Sequence, residues 1–197
     1  MSRLGSTLTG VVLGAGLVYG ALSYHVLRTP EGIELVDLGT LAPTFAIYAL
    51  SFALLGTYWA NHHHLLHTAR TVNGVVLWAN LHLLFWLSLF PLGTAWVGDT
   101  GFAPVPVAAY GALMLLAAMA YFGLVRALIA TPGQPDTLAK LVGRDVKGKI
   151  SPMLFASGIV IALVAPWLAL AVYAFVVVLW VVPDRRIEEA IRARETA

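Results

Sequence analysis

The sequence predicts an all-α, polytopic membrane protein with six transmembrane helices and both termini cytoplasmic. Three observations carry that reading. Of the 197 residues, 59% are hydrophobic and only 11% charged, against about 25% charged in soluble domains. The apolar residues fall in long runs, with a mean hydropathy of +0.83, and roughly 20 such residues in a helix cross a bilayer core about 30 Å thick. Basic residues gather in alternate connecting segments, as cytoplasmic loops require. Cysteine is absent, which removes disulfides and thiolate metal sites.

The first span is Leu4–Leu27, 4–27. The polar start Met1–Arg3 is short and no small-x-small cleavage site follows, so this run reads as a span and not as a removed signal peptide. The second span is about 38–60, the third 72–97 and the fourth 102–125. From Ile150 to Val182 the chain is apolar almost without pause. Pro166 divides this run, since proline suits the first turn of a new helix, giving a fifth span of 150–165 and a sixth of 166–182. Each half is short for a span, and charge decides between one and two. With six spans, every Lys and Arg of the 12 except Arg28 lies on the inner side, while Glu31, Glu34, Asp37 and Asp99 lie outside. A single span would put the four C-terminal arginines outside. Residues 1–183 thus form one transmembrane domain, with a charged cytoplasmic tail at 184–197. The loop from Ala127 to Lys149 is the one sizeable cytoplasmic segment, basic enough to attract anionic head groups.

No Asp, Glu, Lys or Arg lies well inside any span. Proton-coupled transporters and divalent-metal carriers place such groups at mid-membrane depth, so both classes are disfavoured. Enzymatic chemistry is disfavoured too: there is no nucleophile–base–acid set, no HExxH and no glycine-rich phosphate loop. A net charge of +2 is too small to argue for a nucleic-acid partner. Gly10 and Gly14, and Gly16 and Gly20, recur at four-residue spacing in the first span. That pattern suits close helix packing, or small side chains along an axis shared by several subunits.

The run Tyr58–Gly74, "YWANHHHLLHTARTVNG", carries His62, His63, His64 and His67. His63 and His67 have the i,i+4 spacing of a chelating pair, but a full site needs three or four ligands, and no carboxylate lies near in sequence. A haem between His64 and His82 is a second alternative, although only His25 lies toward the outer side for a further haem. The residues themselves favour a third reading, in which the cluster is polar packing at the interfacial end of the second span. No cofactor or metal is then required.

"YWANHHHLLH" (Tyr58–His67) followed by "NGVVLWANLHLLFWLSLFPL" (Asn73–Leu92) resembles the second and third helices of bacterial members of the lysosomal potassium channel family, transmembrane protein 175. Six spans, cytoplasmic termini, a short link between the second and third spans and a proline late in the third match in order. The resemblance implies a homotetramer in the cell membrane, its pore on the tetramer axis lined by the first span of each subunit and passing potassium and other monovalent cations. In the family an arginine and a Phe-Ser/Thr-Asp motif on the first helix bond to the histidine region and to polar groups of the third. Carried over by position, Arg3 matches the arginine, and His64 and Asn80 are the expected partners.

Here the chain departs from the family, reading Thr7, Leu8, Thr9 at the motif. Counted from it, the pore-lining positions are Gly14, Val18 and Ala21, smaller than the family's large aliphatics. A shifted register aims Leu13, Leu17 and Tyr24 at the axis instead. In a pore without charged side chains, selection rests on geometry, neutral dipoles and an apolar constriction, so modest selectivity is expected. The rival expectation is a non-conducting membrane scaffold of the same fold, its first helix misplaced by loss of the motif.

Overall fold

The computed structural model describes residues 37–69, 71–133 and 146–181. Arg3, Thr7, Thr9, Gly14, Leu17, Val18 and Ala21 lie outside the described residues, as do the tail and most of the basic loop. The described residues form six helices and no strand: α1 (Asp37–Thr68), α2 (Gly74–Ser88), α3 (Phe90–Asp99), α4 (Pro104–Ile129), α5 (Val146–Ala162) and α6 (Pro166–Val181). Two stretches, Gly74–Asp99 and Pro104–Ile129, are long and apolar enough to cross a membrane by themselves.

The 32 residues of α1 span about 48 Å at 1.5 Å per residue, well beyond the roughly 30 Å of a hydrocarbon core. Hydropathy ends the second span near Ala60, yet the helix runs on for two turns through the histidines. Histidine lowers the hydropathy of a window without breaking a helix, which only glycine and proline do at substantial cost.

The third apolar run is one span made of two helices. Asn73 caps α2, its side chain accepting from the Val76 amide at 3.0 Å. The helix then breaks at Leu89, because Pro91 has no N–H to donate and its ring clashes with the carbonyl four residues back. The Leu89 amide bonds instead to the Trp86 carbonyl at 3.2 Å, and α3 restarts with proline in its first turn.

The α3–α4 turn puts both Gly101 (φ 59°) and Phe102 (φ 63°) in the left-handed region. For a phenylalanine that costs about 1–2 kcal/mol. The ring offsets the cost: Phe102 is buried and stacks on Trp167 of α6, with centroids 4.5 Å apart. This contact gathers the α3–α4 and α5–α6 turns at one end of the molecule. At the opposite end Thr71 donates to the Pro132 carbonyl at 2.9 Å, and Asn73 to Thr131 at 3.2 Å. There too Trp180 of α6 donates to Ser151 of α5 at 2.9 Å.

α4 is the hub, packing on α2, α3, α5 and α6, while α1 packs on α3 and α6. Its buried face, Val107, Tyr110, Met114, Ala117, Leu124 and Leu128, is apolar except for one phenol. The outward surface is apolar as well: Trp78 is 75% and Val164 85% exposed. A soluble protein rarely shows so continuous an apolar exterior, whereas a lipid-facing one needs it.

Between α4, α5 and α6 the packing relies on missing side chains. Tyr173 of α6 lies between Gly111 of α4 and Gly158 of α5, and a Cβ on either glycine would overlap the Tyr173 ring or its hydroxyl. Small residues let helices approach where lipid supplies no hydrophobic drive. Gly111→Ala or Gly158→Ala should therefore destabilise the protein by about 1–3 kcal/mol through overpacking, read as a lower melting temperature in detergent. Tyr173→Phe, which deletes only a long 3.5 Å contact to the Val107 carbonyl, should cost less than either.

Candidate functional site

α1 is tied to its neighbours at three levels. The first is a hydroxyl cluster, fully inside the protein, that joins three helices. Ser51 of α1 lies 2.6 Å from Thr94 of α3 and 2.6 Å from Tyr110 of α4. Ser51 also reaches the Ile47 carbonyl at 2.8 Å, and Thr94 the Phe90 carbonyl at 2.7 Å. Three protons serve four contacts, since each hydroxyl has one to give. In one arrangement two protons bridge helices and the third stays within α3: Tyr110 donates to Ser51, Ser51 to Thr94, and Thr94 to the Phe90 carbonyl. Tyr110 is also held by its ring, which packs edge-on to Phe90 at 5.8 Å.

Two turns further along, Tyr58 of α1 meets Tyr121 of α4 edge-on, with centroids 6.0 Å apart. A turn beyond that, the buried His62 donates from Nε2 to Asn80 Oδ1 of α2 at 2.5 Å. The amide oxygen only accepts, so His62 carries its proton on Nε2. From Ser51 to His62 is eleven residues, or about 16 Å along the helix.

Asn80, expected as a bracing residue, is thus at a helix–helix junction, and the histidine that meets it is His62. The side chain of His64 lies outside the described residues. His63, on a neighbouring face, stacks on Trp59 at 5.6 Å. His82 lies two residues past Asn80, so about 200° around α2, and its Nε2 accepts from Trp86 at 3.2 Å. Indole only donates, which places the His82 proton on Nδ1. The His62 and His82 rings therefore belong to opposite sides of α2 and hold opposite tautomers.

His62 was readable from the sequence with one more step. Tyr58, His62 and Leu65 continue the stripe of Ile47, Ser51, Leu54 and Leu55 at steps of three and four, the spacing of one helix face, and Ile47, Ser51, Leu54, Leu55, His62 and Leu65 are all buried. His63 and His64 fall off that stripe. The Ser51–Thr94–Tyr110 cluster had no comparable signal, because its members are 43 and 59 residues apart.

Helices joined by neutral hydrogen bonds beneath an apolar exterior define an α-helical integral membrane protein. The family described as "Endosomal/lysosomal potassium channel TMEM175" matches residues 18–91. A potassium channel of Chryseobacterium sp. (strain P1-3) is 41% identical over 166 residues, covering 84% of this chain and 86% of that protein. A potassium channel of Streptomyces collinus is 29% identical over 91 residues, 44% of each chain. The crystal structure of a lysosomal potassium-selective channel TMEM175 homolog from Chamaesiphon minutus has the same fold. It matches with a TM-score of 0.76 at 18% identity, over 91% of this chain and 96% of that one. The chain belongs to the TMEM175 family, a membrane protein whose relatives are potassium channels and not enzymes.

Two outcomes test these braces. Ser51→Ala removes two interhelical hydrogen bonds and should cost about 1–3 kcal/mol, whereas Tyr110→Phe leaves Ser51 and Thr94 bonded and should cost nearer 0.5–1.5 kcal/mol. Thermal melts of the two variants give the order. His62→Leu leaves the half-buried Asn80 without its partner and should cost more than the double change His62→Leu with Asn80→Leu, which removes both partners.

Proposed function

We propose that the chain forms a potassium-permeable cation channel of modest selectivity, assembled as a homotetramer with the first span of each subunit lining the pore. The observation that carries this reading is the 41% identity to a potassium channel over 84% of the chain. Residues 1–183 form the six-span channel unit with both termini cytoplasmic, and 184–197 the charged tail. The described helices support the assignment of a static frame. α1 is fastened to α2, α3 and α4 by neutral hydrogen bonds and ring contacts, and no Asp, Glu, Lys or Arg lies between Leu38 and Ala69. Such a frame holds a pore helix without trapping a cation itself, since a charge within the membrane marks an ion path.

In this reading Arg3, Thr7 and Thr9 of the first span bond toward His64 and Asn80. Gly14, Val18 and Ala21 face the axis, with Leu17 facing it in the shifted register. Small side chains there make the pore wider than that of a relative with large aliphatics, and potassium preference falls because hydration is stripped less completely. One sequence feature favours a second reading, a non-conducting scaffold: Thr7-Leu8-Thr9 replaces the family's Phe-Ser/Thr-Asp.

Ion flux from liposomes holding the purified protein separates the two. A potassium gradient should discharge faster than a sodium gradient, by a small factor, and Gly14→Leu should slow both and widen the difference. A protein that purifies as a tetramer and passes neither ion is the scaffold. Identical flux and selectivity in wild type and Gly14→Leu would remove Gly14 from the constriction.

A further inference from the structure

An unassigned groove runs between α2 and α4 on the outward side of the protein, with a volume of about 390 Å³. Val75, Ala79 and His82 form one wall, and Met119, Gly123 and Ala127 the other. The eleven helical steps from Leu116 to Ala127 make it about 16 Å long. Its α4 wall is low at Ala120, Gly123 and Ala127, and a Cβ added at Gly123 would meet nothing within 4 Å. The wall is apolar but for one group, and that group is occupied. His82 Nε2 accepts from Trp86 at 3.2 Å, so the polar group at that end already has a partner.

One end of the groove is marked by charge. Arg126 lies three residues past Gly123 and seven past Met119, on the same face of α4, in the last turn of the helix. It is exposed, and its guanidinium sits over the outward-facing Phe122 ring, 4.9 Å from the centroid. That stacking holds a permanent cation against the protein at the level where head groups begin. Arg126 does not line the groove but adjoins its Ala127 end in the chain. An apolar slot of acyl-chain length with a cation beside that end matches one kind of molecule in the bilayer.

We propose that the α2–α4 groove is a site for an anionic phospholipid, one acyl chain lying along Gly123 and its phosphate paired with Arg126. The acyl chain gains little by leaving bulk lipid for the groove, so discrimination comes from the head group. A single well-placed arginine favours an anionic over a zwitterionic lipid by about fivefold.

The test uses the full-length purified protein in detergent, given equimolar dioleoyl phosphatidylglycerol and dioleoyl phosphatidylcholine and read by native mass spectrometry. Wild type should retain phosphatidylglycerol by about that factor. Arg126→Gln should lower that ratio, the basic loop keeping what preference remains, and Gly123→Leu, which fills the slot, should lower the retained amount of both lipids. Equal retention of the two lipids by wild type overturns the proposal, as does unchanged retention in Gly123→Leu. A changed subunit count in Gly123→Leu with lipid unaltered would put a second copy of the chain in the groove, and overturns it as well. If Gly123→Leu does not fold, Arg126→Gln decides, because its side chain is exposed and an unaltered lipid ratio there sinks the assignment. Lipid retention is independent of ion flux, so this result stands apart from the channel reading.

Discussion

Tyr110 is the residue on which the arrangement of helices turns. Its hydroxyl reaches Ser51 of α1 at 2.6 Å, its ring packs edge-on to Phe90, and it closes over Gly93, where an added Cβ would lie 3.0 Å from the ring. Phe90 and Gly93 flank Pro91, so the phenol covers the place where α2 stops and α3 starts. A proline break frees backbone groups that have no water to turn to inside a bilayer. The break persists here because neighbouring helices pack against it and the Leu89 amide turns back to the Leu87 and Trp86 carbonyls. One side chain on α4 thus holds the kink, α1 and itself in register.

The same constraint explains why so few kinds of contact hold the rest together. Lipid is as apolar as leucine, so burying leucine gives a membrane helix pair little. What remains is close approach and hydrogen bonding. Tyr173 between Gly111 and Gly158 is the first kind, a bulky ring admitted only because two helices lack side chains at its level. Ser51 with Thr94, His62 with Asn80 and Trp180 with Ser151 are the second, each linking different helices through neutral groups. Neutral pairs suit the proposed channel, because a fixed charge in the frame would compete with a pore for cations.

α2 has two sides with different roles. Asn80 faces α1 and takes a proton from His62, while His82 faces α4 and takes one from Trp86. The two histidines differ in tautomer although neither has a charged partner among these contacts. The brace lies on one side of the helix and the groove on the other. A change at Asn80 therefore bears on how α1 is held, whereas one at His82 bears on what the groove admits.

The apolar runs were enough to locate the helices among the described residues, because length and hydropathy are properties that each segment carries alone. The Pro166 division and the cap at Asn73 are likewise local, depending on residues within a turn of one another. The end of α1 was not legible that way: histidines lower hydropathy, and only continued backbone pairing shows that the helix goes on to Thr68. The face of that helix decides which histidine is buried, and a run of three adjacent ones spreads over most of a turn, so composition pointed to the cluster and packing chose His62. The junctions lay furthest from view. Ser51, Thr94 and Tyr110 are unremarkable in their own segments, and Gly111 and Gly158 look like ordinary small residues until Tyr173 lies between them. The sequence by itself determined which segments are helical and apolar, since those properties are carried by neighbours in the chain. Which polar groups meet was decided only by tertiary structure, because a hydrogen bond needs its partner within about 3 Å and chain order does not set that distance.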